Sequence, residues 1–325
     1  MSEPVRVAVV GVGDFGRQHV RVLRSLEEAE LVGVCDTDAG RAAAVAREYQ
    51  TAVLPDLEAV AERARAACVC VPTVEHARVG CALLERGLDV LVEKPMAATV
   101  EQAEALIAAA ERNGRILQVG HVERFNPAVV AAQQVVVAPL FFEVHRLGVF
   151  TPRSLDVDVV YDLMIHDLDI VLALVDRPVE DIRAVGIPVV TDKVDIAHAR
   201  LEFSGGVVAN LTASRVSTEK VRKLRLFQHH EYLSVDYGRR ELLRIRVAES
   251  GNPPQFRFEK LPVSDEEPLR AQLRAFISAV QTRRRPVVDG HAGRRALALA
   301  DRVMAAIQAH ARRAALAPAN LGSVE

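Results

Sequence analysis

The most restrictive feature of this chain lies near its N-terminus, in the run VRVAVVGVGDFG. A β-branched apolar segment leads directly into Gly11, Gly13 and Gly16, and residues 17–27 then place apolar side chains at helical spacing. In a strand–turn–helix unit with this spacing, the first glycine makes a tight turn and the second lets a pyrophosphate approach the backbone. The third allows close packing of helix on strand. The pattern predicts a dinucleotide-binding site at the positive end of the helix, with an ordinary glycine turn as the alternative.

An acidic residue after the second predicted strand indicates which dinucleotide binds. The strand LVGVCD ends in Asp36, 20 residues beyond the last glycine. A carboxylate there accepts hydrogen bonds from the adenosine ribose and repels a 2′-phosphate, which favours NAD over NADP. Asp38 and Arg41 follow closely, so some tolerance of NADP stays open. Within the loop itself, Asp14 and Phe15 are expected to contact the cofactor.

The first third of the chain alternates apolar strand candidates with alanine-rich helical stretches. Strands are predicted at 67–72, 89–94 and 115–120, and helices at 40–48, 57–65, 75–86 and 99–112. Near-continuous apolar strands separated in this way indicate a parallel sheet buried on both faces. We therefore expect a doubly wound Rossmann domain over residues 1–120.

Two segments fall where predicted strands reach the carboxyl edge of this sheet, at which ligands bind in open α/β folds. Further cofactor contacts are expected there from Val71, Pro72, Thr73, His76, Glu93 and Lys94. Pro95 ends its strand and restricts the preceding lysine to extended backbone. Lysine is scarce, occurring only at positions 94, 193, 220, 223 and 260. An amine at this edge is therefore a candidate for chemistry, with a solvated strand-end cation as the alternative.

The pattern changes beyond Gly120. Asn126-Pro127 opens a short helix, and strands of alternating polarity are predicted at 140–148, 180–190, 195–203, 206–215, 220–228, 231–237 and 241–247. Gly205-Gly206 joins two of them as a hairpin. Helices are predicted at 160–175, 266–282 and 292–313. Residues 121–325 are thus expected to form an α+β domain with an open, mostly antiparallel sheet, for substrate binding and oligomerisation.

The predicted helix 160–175 carries a carboxylate and an imidazole on one face, because Asp162 and His166 are one turn apart. Together with Lys94, they could remove a proton from a sugar hydroxyl while a bound nicotinamide takes the hydride. His166 would act as general base, Lys94 would stabilise the developing alkoxide, and Asp162 would orient these groups or the sugar. Lysine as the base is an alternative, and an Asp-x-x-x-His pair can also be a surface pair or a cap.

Composition limits the partners of the chain. With 325 residues, 50% of them hydrophobic, and a formal net charge of −2, nothing points to nucleic acid or to a membrane surface. No apolar run approaches membrane-spanning length. The four cysteines lie in predicted strands and a helix without redox or zinc spacing, which indicates a reduced, cytoplasmic protein. His229-His230 is too close a pair for one tetrahedral site, so no metal is expected.

Three motifs occur together: Gly11-x-Gly13-x-x-Gly16, Glu93-Lys94-Pro95 and Asp162-x-x-x-His166. In order and spacing they resemble the glucose–fructose oxidoreductase/inositol dehydrogenase/MocA-like superfamily over nearly the whole chain. The resemblance implies an NAD(P)-dependent enzyme acting on sugars, sugar derivatives or cyclic polyols. It also implies a Rossmann domain followed by an α/β domain on an open sheet, commonly assembled as dimers or tetramers. Lys94, Asp162 and His166 match the catalytic residues of the family.

Two further runs, GHVERFNPAVV and the pairing of HRLG with VVYDLMIHDLDI, are similar to the sugar-nucleotide branch of the superfamily, the UDP-N-acetylglucosamine 3-dehydrogenases. That branch makes a 3-keto sugar, which an aminotransferase converts to a 3-amino sugar for lipid A-type glycolipid. Donors to a diphosphate or N-acetyl sugar are expected from His121, Arg124, Asn126, His145 and Arg146. Arg124 and Asn126 could instead organise the loop and cap its helix. Tyr161 departs from the aliphatic residue expected before Asp162.

Two other functions stay open at this point. One is an inositol or aldose dehydrogenase on the same scaffold, which would need no diphosphate pocket. The other is an NAD-binding sensor without catalysis, against which the retained Lys94, Asp162 and His166 argue.

Overall fold

The computed structural model describes residues 3–151, 157–248 and 254–314, which form two compact units. The first unit comprises Met1–Phe125 and Glu266–Leu297, and the second comprises Asn126–Asp265 and Ala298–Glu325. The sequence predicted a single domain boundary, at residue 120. The observed division differs because a segment from the C-terminal part of the chain returns to the first unit.

A five-stranded parallel sheet forms the centre of the first unit, in the order β2-β1-β3-β4-β5. Its strands are β1 Val5–Val10, β2 Ala29–Cys35, β3 Ala66–Val69, β4 Asp89–Glu93 and β5 Leu117–Gly120. Every residue of β3, β4 and β5 is buried, as the continuous apolar runs predicted. The Rossmann architecture is therefore confirmed.

The helices of this unit are α1 Asp14–Arg24, α2 Ala39–Glu48, α3 Leu57–Arg63, α4 Thr73–Glu85, α5 Val100–Arg112 and, from the distant C-terminal segment, α8 Pro268–Thr282. The last of these joins the first unit because its apolar side chains complete the core. Leu273, Phe276 and Val280 lie in one buried cluster with Val9 of β1 and Leu23 of α1. Each such side chain contributes roughly 1.5–3 kcal/mol when fully buried. The spacing of apolar residues in the sequence predicted this helix, but it did not predict that the helix packs on the parallel sheet.

An eight-stranded sheet forms the second unit, in the order β13-β12-β11-β10-β6-β9-β8-β7. Its strands are β6 Phe141–Leu147, β7 Val179–Ile187, β8 Ile196–Phe203, β9 Val208–Ser214, β10 Val221–Gln228, β11 Glu231–Asp236, β12 Glu241–Val247 and β13 Phe256–Leu261. All neighbouring pairs are antiparallel except β6 and β9, which run parallel. The open, mostly antiparallel sheet is confirmed, and Gly205-Gly206 forms the predicted turn between β8 and β9, with φ of +81° and +83°.

Helices cover one face of this sheet. They are α6 Pro127–Gln133 and α7 Ile165–Val175, and apolar side chains from both helices surround a small cavity against β10 and β11. Alternate residues of β6, β8 and β9 point to this buried side, such as Phe142 and Val144 on β6. A final helix, α9 Gly290–Arg313, ends the described chain.

Strand β13 was not predicted from the sequence. Among the described strands it pairs with β12 alone, and it is exposed along most of its length. Phe256 and Phe258 alternate with polar residues, but the alternation covers only four positions, and both phenylalanines are exposed, as suits an edge strand.

Candidate active site

The three glycines of the N-terminal loop perform three different structural tasks. Gly11 has φ of +84°, and a Cβ there would lie 2.7 Å from the backbone of Cys70 and Val71. A Cβ on Gly16 would lie 1.9 Å from the Gly11 carbonyl oxygen, so only glycine lets α1 pack this closely. A Cβ on Gly13 would meet nothing within 4 Å. The space in front of Gly13 is therefore open, as a site for a pyrophosphate requires.

Helix α1 begins at Asp14 directly after this loop and presents the N–H groups of its first turn. Phe15, in that turn, leaves 52% of its surface exposed. Both residues were expected to contact the cofactor. Their position at the positive end of an 11-residue helix supports that expectation.

Asp36 is tied into the glycine loop. Its Oδ2 accepts a hydrogen bond of 2.8 Å from the Val12 N–H, and its Oδ1 accepts one of 2.9 Å from the Asp38 N–H. The guanidinium of Arg41 lies 3.4 Å from the same carboxylate and is half-exposed. The carboxylate stands at the carboxyl end of β2, where a dinucleotide places its adenosine ribose.

Asp36→Asn should raise the KM for NAD about 10-fold and raise the ratio of kcat/KM for NADP to that for NAD. A hydrogen bond to a charged acceptor contributes roughly 1.5–3 kcal/mol, and the neutral amide no longer repels a 2′-phosphate. Steady-state kinetics with both cofactors measure the change. Glu30→Gln removes the same charge from an exposed position on β2 and should leave both values unaltered; an equal effect there would point to overall charge.

The segments after β3 and β4 are joined by one buried imidazole. His76 of α4 has Nδ1 2.8 Å from the Pro95 carbonyl oxygen and Nε2 2.9 Å from that of Val71. Burial lowers the pKa of His76, although both carbonyls oppose the shift. His76 was expected to contact the cofactor, but these contacts support a role in holding the strand ends together. Pro72 and Thr73, also expected contacts, lie at the start of α4.

Lys94 follows the last residue of β4 and is half-buried, with a cis peptide bond to Pro95. Glu93 is almost wholly buried and accepts hydrogen bonds from the ring of His19 (2.9 Å) and from the Lys94 N–H (3.2 Å). Glu93 was predicted as a cofactor contact, and its carboxylate also has these protein partners.

In the second unit, Asp162 lies in a π-helical turn, Val160–Met164, which leads directly into α7 with His166 in its first turn. Both side chains are half-buried. The sequence predicted one continuous helix here, since spacing does not distinguish a π-turn from α-helix. Tyr161, the departure noted above, donates a 2.7 Å hydrogen bond to Asp301 of α9. Turns of this kind occur frequently at functional sites.

The predicted substrate donors of β6 are separated by the sheet. Arg146 points to the covered side, where its guanidinium forms two hydrogen bonds, of 2.7 and 2.8 Å, with Asp167 and lies 4.9 Å from the ring centre of Tyr237. His145 points to the open side, as consecutive residues of a strand must. On that side, His198 Nδ1 lies at hydrogen-bond distance, 2.9 Å, from Thr212 Oγ1 on the neighbouring strand. The two β6 residues therefore do not share one pocket.

The remaining predicted donors lie after β5. His121 is buried, and Arg124 is half-buried in a 3₁₀ turn, Val122–Phe125. Asn126, at the start of the second unit, accepts a 3.2 Å bond from the Ala128 N–H and donates one of 3.1 Å to the Tyr237 carbonyl. Asn126 is thus the helix cap that the sequence allowed as an alternative.

Two residues next to this site were missed from the sequence. His19 looks like one more inward position of α1, and Gln272 lies far along the chain on α8. Only the fold brings them to Glu93. Within the described ranges, no group of three or more His, Cys, Asp or Glu side chains could hold a metal ion. Across those same ranges, no helix has the length and apolar character needed to cross a bilayer.

A glycine loop with an open approach, leading into a helix on a parallel sheet, defines a dinucleotide-binding Rossmann domain. Residues 5–121 match the oxidoreductase family with an NAD-binding Rossmann fold, and residues 142–230 match the C-terminal domain of the same family. The chain belongs to the GFO/IDH/MocA oxidoreductase family.

Relatives with known activity cover most of the chain. A UDP-N-acetylglucosamine 3-dehydrogenase of Acidithiobacillus ferrooxidans is 38% identical over 95% of this chain and 99% of its own, and its solved structure superposes with a TM-score of 0.90. A scyllo-inositol 2-dehydrogenase of Bacillus subtilis is 28% identical over 67% of this chain and 69% of its own. A levoglucosan dehydrogenase solved with NADH, at 17% identity, covers 94% of this chain and 98% of its own with a TM-score of 0.85, and shares the fold. The protein is an NAD-binding dehydrogenase that acts on a CH–OH group.

Proposed function

We propose that the protein oxidises the 3-hydroxyl of UDP-N-acetylglucosamine to a ketone, with NAD as the hydride acceptor. The observation that carries the proposal is the similarity to a UDP-N-acetylglucosamine 3-dehydrogenase, at 38% identity over 95% of this chain and 99% of the relative. Lys94, Asp162 and His166 supply the side chains that the reaction needs.

The first unit supplies the cofactor site. The loop from Gly11 to Gly16 would hold the pyrophosphate against main-chain N–H groups, and Asp36 would accept hydrogen bonds from the adenosine ribose. When bound, the nicotinamide supplies an acceptor for hydride. The exposed Phe15 and the segment Val71–Thr73 would border the bound dinucleotide.

Three side chains would act on the alcohol. The imidazole of His166 accepts the hydroxyl proton as general base, the role in which histidine is most often used. The ammonium of Lys94 donates a hydrogen bond to the same oxygen and stabilises negative charge as it develops. Asp162, one turn before His166, accepts hydrogen bonds and orients the sugar or the base.

Among the predicted substrate donors, Arg124 is best suited to the diphosphate. Its half-buried guanidinium follows the carboxyl end of β5, and arginine binds phosphate oxygens in a bidentate manner. We propose that the buried His121 lines the same pocket. Asn126 and Arg146 would act indirectly, through their bonds to the main chain and to Asp167.

A substrate panel tests the proposal. Purified protein is incubated with NAD and UDP-N-acetylglucosamine, UDP-glucose, N-acetylglucosamine 1-phosphate, myo-inositol or glucose, and hydroxylamine is present to trap a ketone. We expect NADH formation and a trapped 3-keto sugar only with UDP-N-acetylglucosamine, together with a rise in Tm. Turnover of inositol alone would replace the proposal by the polyol alternative. Binding of NADH without any turnover would favour the sensor.

The proposal extends to assembly, location and the next reaction. We propose that a second copy covers the open face of the large sheet, where the rings of Phe141, Phe227 and Tyr232 pack at tilted angles with centres 5.7 and 5.0 Å apart. Light scattering should give a dimer or tetramer, and a monomer would contradict this.

We also propose a cytoplasmic location, because all four cysteines are free thiols, which suits a reducing compartment. An aminotransferase would consume the 3-keto sugar on the way to a lipid A-type glycolipid.

A further inference from the structure

A buried polar cluster, His19–Glu93–Gln272, adjoins the segment that carries Lys94. The His19 Nε2–H donates to Glu93 Oε1 at 2.9 Å, and Gln272 Nε2 lies 3.5 Å from the same oxygen. On the other side of the carboxylate, Glu93 Oε2 accepts a hydrogen bond of 3.2 Å from the Lys94 main-chain N–H. His19 and Gln272 are fully buried, so this cluster is reached by no substrate.

We infer that His19 is a positioning residue, which acts through Glu93 to fix the main chain at Lys94 and thereby the place of its amine. The inference rests on the role given to Lys94 in the proposed function. It adds a residue outside the cofactor and substrate contacts, on the helix that follows the glycine loop.

Because Glu93 is charged, its contact with His19 does more than fill space in the core. Burial alone would raise the pKa of the Glu93 carboxyl, but the hydrogen bond and charge of His19, helped by Lys94, outweigh it and hold the pKa below its ordinary value. Glu93 is therefore ionised. A buried carboxylate that loses its partner is costly, so without His19 it must move or find another donor. Either response pulls on the Lys94 N–H.

Neighbouring residues on both sides of Lys94 also constrain this segment. A Cβ on Gly120, at the end of β5, would lie 2.4 Å from Glu93 Oε1, so the glycine provides the space that the carboxylate fills. On the far side of Lys94, the Pro95 carbonyl is held by His76 at 2.8 Å. The lysine is thus fixed at the residue before it and at the residue after it.

Helix α1 connects this cluster to the cofactor loop. Asp14 begins the helix beside the pyrophosphate position, and His19 lies five residues further on. Because a helix of this length moves as one body, the loop and the Lys94 segment keep a constant spacing. A displacement of about 1 Å at a reacting group can cost 100-fold in rate.

Kinetics of three α1 variants test the inference. His19→Leu keeps the volume but removes the donor, and it should lower kcat about 100-fold while changing the KM for NAD less than about 3-fold. His19→Gln places an amide N–H near the position of Nε2 and should recover most of the loss. Leu23→Ala is the control for destabilisation in the same helix; it should lower Tm with little effect on kcat.

A second readout does not depend on the identity of the substrate. The chain has five lysines, so reductive ¹³C-methylation gives a resolvable NMR signal for each amine, and Lys94→Met assigns the one in question. In His19→Leu, the chemical shift of the Lys94 signal should change, while the signals of the other four lysines and the Leu23→Ala spectrum stay unaltered. Gln272→Leu should produce a smaller shift of the same signal.

The two readouts separate the two hypotheses. A shifted Lys94 signal in protein that fails to oxidise UDP-N-acetylglucosamine would overturn the proposed function but keep the positioning role of His19. A folded His19→Leu protein with wild-type kcat and an unmoved Lys94 signal would overturn the positioning role. Loss of kcat in parallel with Tm across all variants, including Leu23→Ala, would also overturn it.

Discussion

Replacing Lys94 by methionine is expected to lower kcat/KM for the sugar nucleotide about 1,000-fold, with little loss of NAD affinity. Methionine keeps the length and apolar stem of lysine but cannot donate a hydrogen bond. The loss of one donor to a developing oxyanion costs about 100- to 1,000-fold in kcat. Cofactor binding should persist, because it depends on the glycine loop and on Asp36, whose carboxylate is held by the Val12 and Asp38 N–H groups. Stopped-flow kinetics and NADH titration measure the two quantities.

Lys260→Met is the matched control for this experiment. Lys260 is exposed at the sheet edge, where it forms a 2.7 Å salt bridge with Glu241. Its removal should leave kcat/KM unaltered, because exposed pairs contribute only about 0–1 kcal/mol even to stability. Equal activity of Lys94→Met and the wild type would eliminate the proposed catalytic role and return Lys94 to a solvated strand-end cation.

Arg146→Met is expected to lower the free energy of unfolding by about 3–5 kcal/mol, because it leaves the Asp167 carboxylate buried without its partner. Both side chains are almost fully buried, and the guanidinium meets both carboxylate oxygens and the ring of Tyr237. Denaturant unfolding measures the change. Adding Asp167→Leu to the variant should restore part of the stability, since the double variant buries no unpaired charge.

An exposed pair on the same sheet provides the comparison. Arg225→Met breaks a 3.1 Å contact with Glu143 on the open face and should change stability by less than about 1 kcal/mol. If Arg146→Met were as stable as the wild type but had a strongly raised KM for the sugar nucleotide, the sequence expectation of direct substrate contact would be correct, and the anchoring role would be wrong.

The parts of the site that sequence could predict are those fixed by local backbone rules. Three glycines, a strand and a helix specify the loop around Gly13, because each glycine has its own steric reason. The same holds for Lys94, whose place follows from the alternation of strands and helices. Asp162 and His166 follow from helical spacing, although the π-turn between them has no signature in residue type.

The parts that could not be predicted depend on which surface a segment meets. Arginine is a common phosphate ligand, so the sequence suggested that role for Arg146. Its ion pair with Asp167 is visible only in the folded structure. His19 looks like any inward position of an amphipathic helix until Glu93 lies opposite. Helix α8 has a clear apolar stripe. The stripe alone does not indicate whether the helix packs on the antiparallel sheet that precedes it in the chain or on the parallel sheet of the first unit.

The return of α8 to the first unit sets the order of events during synthesis. The ribosome completes all five strands of the parallel sheet long before it adds Leu273, Phe276 and Val280. Domains usually fold as soon as they emerge, but here the nascent N-terminal half carries an uncovered apolar surface until residues 273–280 have been added. Chaperones should therefore bind the N-terminal half of the growing polypeptide, and a gene truncated before codon 266 should yield aggregate instead of an isolated nucleotide-binding domain.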